Sequence, residues 1–99
     1  MSVPVVERRV EGRDGREGVS LRFPYDPGIV AALKHEIPRS DRYWNGETWW
    51  VATEHEDAAV SILQRRWNEV MFVGLDGESD YLMDRSGTIT YQVGLFDAL

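Results

Sequence analysis

Arg42-Tyr43-Trp44-Asn45-Gly46-Glu47-Thr48-Trp49-Trp50-Val51 holds three of the chain's four tryptophans and its best turn dipeptide, Asn45-Gly46. Asn-Gly between aromatic and β-branched residues is the strongest short-range hairpin signal, because both residues tolerate the positive φ of a tight turn. Side chains alternate along a strand and cross-strand partners share a face. Tyr43, Thr48, Trp50 and Ala52 therefore lie on one side of the ribbon, and Arg42, Trp44, Glu47, Trp49 and Val51 on the other. So much aromatic area must either close a core or present a surface.

On the N-terminal side, Val3 to Val10 has high β-propensity, and Gly12-Arg13-Asp14-Gly15 is a turn signal. Val19-Ser20-Leu21-Arg22-Phe23 alternates apolar and polar, so residues 4–24 read as a first hairpin. Asp26-Pro27 opens a helix, with Asp as N-cap and Pro at the first helical position. Ile29, Val30, Leu33 and Ile37 follow on one face, and Pro38 ends the segment.

After the aromatic hairpin, Thr53-Glu54-His55-Glu56 matches a capping box. A second helix follows, with Ala58, Ala59, Ile62, Leu63 and Trp67 on one stripe. Val70 to Val73 is a short strand. Tyr81 to Asp84 and Thr88 to Val93, around Arg85-Ser86-Gly87, form a last hairpin. The order ββαββα, then β and a tail, predicts an α+β fold: a small, mostly antiparallel sheet with two helices on one face.

Ninety-nine residues, 42% hydrophobic and 28% charged, suit one globular domain with a modest core. Met1 to Val10 lacks the apolar run of a signal peptide, and no stretch is long and apolar enough for a membrane, so a cytoplasmic location is expected. The absence of cysteine excludes disulfides and thiolate zinc sites, and two histidines make a dedicated metal site improbable on composition. The net charge of −6 is uneven: residues 1–50 balance eight basic against eight acidic side chains, whereas residues 51–99 hold three against nine. A general basic footprint for nucleic acid is absent, and only a local arginine face in the first half is available to DNA.

With Tyr43 and Trp50 taken as the core pair beneath the helices, Trp49, Trp44 and Arg42 fall on the open face. Exposed tryptophan beside arginine is what a base-stacking platform for single-stranded or forked DNA needs. The competing expectation is that another strand covers these rings, since aromatics pack more often than they bind.

From Val19 to Arg66 the pattern resembles the HARP (HepA-related) module found beside SNF2-type annealing helicases and in small bacterial and phage proteins. The matching residues are Phe23-Pro24-Tyr25-Asp26, Ile29, Leu33, Arg42-Tyr43, Trp50-Val51, Ile62 and Leu63. The resemblance implies a HARP-like domain over residues 1–75, a role in DNA binding or remodelling, and Arg42 with the aromatic hairpin as the residues carried over. Such modules are usually neutral to basic and joined to a motor, whereas this sequence is acidic and shows no phosphate-binding loop.

Residues 76–99 form an acidic C-terminal segment that includes Gln92-Val93-Gly94-Leu95-Phe96. A short extended segment of this kind offers an amide to a pocket rim and two large apolar groups to a cleft. It resembles the bacterial sliding-clamp-binding pentapeptide, glutamine-x-x-leucine-phenylalanine. By that resemblance Gln92 fills a small subsite and Leu95 and Phe96 a hydrophobic one. The alternative is that Thr88 to Phe96 is a strand whose Leu95 and Phe96 plug the core.

His55-Glu56-Asp57 is the one cluster suggestive of acid–base chemistry, and its place in a first helical turn explains it by the helix dipole. No G-x-S-x-G, metal-ligand spacing or Ca-loop pattern appears; Asp76, Glu78, Asp80 and Asp84 read as a solvated acidic loop. The expectation is a non-enzymatic protein without cofactor or small-molecule substrate. Three functions compete: an accessory factor of DNA replication or repair docked on the bacterial sliding clamp, a module for single-stranded or forked DNA, and a phage or mobile-element inhibitor of another host protein.

Overall fold

Asn45 builds the turn at the centre of the aromatic hairpin. Its Oδ1 accepts hydrogen bonds from the backbone N–H groups of Glu47 (2.9 Å) and Thr48 (2.8 Å), while Gly46 takes φ +101°. The loop is four residues long, and the ladder pairs Trp44 with Trp49, Tyr43 with Trp50 and Arg42 with Val51. In the computed structural model, which describes residues 3–73 and 80–91, this hairpin is one end of a seven-stranded sheet.

The strands are β1 (Val5–Glu11), β2 (Glu17–Arg22), β3 (Arg42–Trp44), β4 (Trp49–Ala52), β5 (Val70–Val73), β6 (Tyr81–Met83) and β7 (Ile89–Tyr91), in the order β3-β4-β2-β1-β5-β6-β7. All neighbours are antiparallel except β1 and β5. Helices α1 (Pro27–Glu36) and α2 (Glu56–Leu63) cover one face, so the α+β fold expected from the sequence is the fold observed. The core joins Val6, Val19, Leu21, Val51, Val70 and Phe72 of the sheet to Ile29, Leu33, Ile37, Ala59, Ile62 and Leu63 beneath the helices. The hairpins over residues 4–24 and 81–91 form as expected, and β6 pairs with β5, so it continues the same sheet.

Helix α1 starts as its sequence dictates. Asp26 Oδ1 accepts from the N–H groups of Gly28 (2.9 Å) and Ile29 (3.1 Å), with Pro27 at the first position. The capping box expected for the second helix does not form. Thr53 turns its hydroxyl to the Glu17 carbonyl (3.1 Å), and Glu56 pairs with Arg8 of β1 (2.8 Å). Both side chains find partners on the sheet instead, and residues 53–55 become a single 3₁₀ turn before the helix. The helix ends at Leu63, short of Trp67, which packs its ring 5.9 Å from Phe23.

The face assignment of the hairpin is reversed. Tyr43 and Trp50 do share a side, with ring centroids 5.6 Å apart, but that side faces away from the helices. Trp49 and Val51 point into the core. Two glycines explain the inversion. A Cβ on Gly18 of β2 would sit 2.3 Å from the Val51 carbonyl and 2.5 Å from the Trp50 ring, and one on Gly12 would sit 2.6 Å from that ring. Their bare backbone makes a shelf for the Trp50 indole on the open face.

The indole N–H then donates to the carbonyl of Val10 at 2.9 Å, the polar partner a buried tryptophan requires. A register shift in β1 between Arg8 and Val10, with Arg9 at φ +60°, lies beside this acceptor. Gly18→Ala is therefore expected to lower stability by about 2 kcal/mol or more, the scale of overpacking a filled site, read as a reduced urea midpoint at unchanged m-value.

Candidate functional site

The sequence-derived candidates separate in space. Arg42 aims its guanidinium at the end of α1, where Nε donates to the Ile37 carbonyl (2.9 Å) and Nη2 to the Lys34 carbonyl (3.0 Å). These are carbonyls that the last helical turn leaves unsatisfied, and a cation there also meets the negative end of the dipole. Arg42 is thus a helix cap. Trp49, expected on an open face, is 8% exposed and belongs to the core, which corrects its assignment. Trp44 is 52% exposed, with its ring 5.8 Å from that of Trp49. Gln92, Leu95 and Phe96 lie outside the described residues.

Around Trp44 the fold leaves an apolar groove of about 340 Å³, lined by Leu21, Phe23, Tyr25, Val30, Trp44, Trp49 and Glu47. Each wall has a local cause. Leu21 ends the buried side of β2, and Phe23 and Tyr25 continue its alternation past the sheet, before Asp26 turns the chain into α1. Tyr25 is 81% exposed. Val30 comes from the first turns of α1, Trp44 ends the edge strand β3, and Glu47 lies in the loop that follows it.

From the sequence, neither Tyr25, which is exposed, nor Phe23, which lines the groove while partly buried against the core, receives a surface role. The available signal was the alternation of residues 19, 21, 23 and 25, which runs on past the point where the helix needs its cap.

A second cluster lies at the other end of β2. Arg16 bonds Asp14 (2.7 Å), Asp41 (2.9 Å) and the Ser40 carbonyl (2.7 Å), while His55 Nε2 lies 2.8 Å from Asp41 Oδ2. The hydrogen bond from His55, then that from Arg16, holds the Asp41 carboxyl below the usual aspartate range. Asp41, Glu54 and His55 come close enough to share an ion, but Arg16 already sits 2.9 Å from Asp41 and 3.9 Å from Glu54. The cluster fastens the β1–β2 turn to the segments preceding β3 and α2. His55, Glu56 and Asp57 are split apart: His55 faces Asp41, and Glu56 faces Arg8. Asp84 is likewise a turn residue. It accepts from the Ser86 hydroxyl and from the N–H groups of Ser86 and Thr88, which lowers its pKa.

Comparison with family models, curated proteins and solved structures finds no match for this chain. Among the described residues, no helix is long and apolar enough to cross a membrane.

Two measurements follow from this geometry. Trp49→Ala is expected to cost about 3–5 kcal/mol in urea unfolding, as for buried aromatics, and Trp44→Ala about 1 kcal/mol, the scale of one aromatic pair. Because the folded pKa of Asp41 is depressed, its stabilising contribution is present above the unfolded aspartate pKa of about 3.9 and is lost as pH falls through the folded value. The stability of the wild type relative to Asp41→Asn is expected to shrink across that acidic window in paired urea titrations.

Proposed function

We propose that this chain is a non-enzymatic, cytoplasmic accessory protein of DNA replication or repair that docks on the bacterial sliding clamp through Gln92, Leu95 and Phe96, as adaptor or competitor. The observation that carries this reading is the pentapeptide Gln92-Val93-Gly94-Leu95-Phe96, which begins at the residue after Tyr91, the last residue of β7. Strand β7 is an edge of the sheet, so the motif follows directly from a folded platform.

Two features favour a protein partner over nucleic acid. Of the three residues proposed for DNA stacking, Arg42 spends two donors on carbonyls at the C-terminal end of α1, those of Lys34 and of the cap residue Ile37, and Trp49 is in the core. Trp44 alone remains exposed, on a chain of net charge −6. The residues of the HARP resemblance act mainly in the architecture: Asp26 caps α1, Arg42 closes it, and Ile29, Leu33, Val51, Ile62 and Leu63 fill the core. They support a replication or repair setting by likeness of plan, without supplying chemistry of their own.

The test is binding of purified bacterial clamp to the wild type and to the Leu95→Ala/Phe96→Ala double variant. The wild type is expected to bind and the variant to lose at least tenfold in affinity. Equal affinity, or no binding by the wild type, would sink the proposal. Tryptophan quenching by single-stranded oligonucleotide that weakens steeply with salt would instead support the DNA reading.

A further inference from the structure

Asn45 is followed by glycine, and that pair carries a chemistry of its own. Glycine has no side chain to shield its amide nitrogen, so the nitrogen can reach the side-chain carbonyl carbon of a preceding asparagine. Gly46 meets this condition: it lies at φ +101°, and nothing stands within 4 Å of the position a Cβ would take. Asn68, the other asparagine of the chain, precedes Glu69 and lacks it. We propose that Asn45 is a site of spontaneous deamidation, that the closed hairpin holds the reaction in check, and that its isoaspartyl product unlatches the hairpin.

The first step is a cyclisation. The Gly46 nitrogen bonds to Asn45 Cγ and gives up its proton, the Cγ–Nδ2 bond breaks, and Nδ2 leaves with that proton as ammonia. Water then opens the cyclic imide. Cleavage between the Gly46 nitrogen and Cγ gives aspartate, and cleavage between that nitrogen and the main-chain carbonyl carbon gives isoaspartate. Either product carries one more negative charge than the amide.

The closed hairpin opposes the cyclisation. Asn45 Oδ1 accepts from the N–H groups of Glu47 (2.9 Å) and Thr48 (2.8 Å), and Nδ2 donates to Thr48 Oγ1 (3.1 Å). Thr48 is 6% exposed, so the amide is tied to a fixed residue. Ring closure swings Cγ onto the Gly46 nitrogen and expels Nδ2, and these bonds are given up together. The reaction therefore waits on opening of the hairpin. Strand β3 is the edge of the sheet and pairs only with β4, so that opening is local and leaves the core strands in place.

The two products act differently on the turn. A carboxylate accepts the same two N–H bonds, and the Thr48 hydroxyl can donate to its second oxygen, so aspartate preserves the loop. In isoaspartate Cβ has entered the main chain, which lengthens the loop by one bond, about 1.5 Å. That loop is closed by the Asn45 N–H donating to the Thr48 carbonyl at 3.1 Å, and the Trp44–Trp49 pair follows directly. The added atom disrupts both.

The test is incubation of the native and the guanidinium-unfolded chain at mildly alkaline pH, followed by peptide mapping with isoaspartate detected by an isoaspartyl methyltransferase. Conversion is expected at Asn45 and not at Asn68, at least tenfold slower in the native chain. Thr48→Val removes the acceptor of Nδ2 and is expected to speed conversion severalfold in the native chain only. Asn45→Asp, identical to one product, is expected to keep the wild-type urea midpoint, whereas the isoaspartyl form purified from the aged protein has a lower one. Equal rates in the native and unfolded chains overturn the proposal. So does an unfolded chain that does not convert at Asn45, a folded Thr48→Val chain that converts no faster, or an isoaspartyl form as stable as the wild type. The comparison of native with unfolded wild type stands by itself where Thr48→Val does not fold.

Discussion

The indole of Trp50 lying on the glycine shelf is the contact on which the rest of the structure depends. It fixes β4 against the β1–β2 hairpin on the open face, through ring contact with Gly12 and Gly18 and through one hydrogen bond to Val10. Strand side chains alternate, so the placement of Trp50 also commits Trp49 and Val51 to the helix-covered face. Arg16 sits over the same ring at 5.6 Å and from there reaches Asp14, Asp41 and Ser40. One aromatic side chain thus links strand register, face selection and the polar cluster at the end of the sheet.

This dependence explains where the sequence was legible. Signals that are local in the chain read correctly: Asp26-Pro27 as a helix start, Asn45-Gly46 as a hairpin turn, and Arg85-Ser86-Gly87 between two short strands. What failed required knowledge of a distant partner. Thr53 and Glu56 have the spacing of a capping box, but Glu17 and Arg8 compete for them, and neither is near in sequence. The aromatic hairpin reads from its own residues with Tyr43 and Trp50 inward, and the opposite face is buried because Gly12 and Gly18, more than thirty positions before Trp50, decide the matter. Gly18 within a strand pattern was itself a sign of close approach by another group.

The candidate site divided along similar lines. An arginine next to aromatics reads from sequence as a stacking platform, yet Arg42 serves the open end of a helix that finishes six residues before it. Its pairing with Trp44 in the sequence concealed that the two side chains do different work. The exposed groove owes its aromatic walls to Phe23 and Tyr25, placed where strand alternation outlasts the sheet. The pentapeptide at 92–96 is legible because a linear motif needs only its own residues in order.

The single parallel pairing, β1 against β5, shapes how the molecule assembles in time. Hairpins β1–β2, β3–β4 and β6–β7 close through short local loops, whereas Val5 meets Met71 only after β2, both helices and the β3–β4 hairpin have been laid down between them. Loop-closure entropy for that contact must be met before the sheet gains from it. Strand β1 therefore spends the early part of folding with one edge paired to β2 and the other open. During synthesis the ribosome releases β5 last of the three central strands, and β6 and β7 join the sheet only through it.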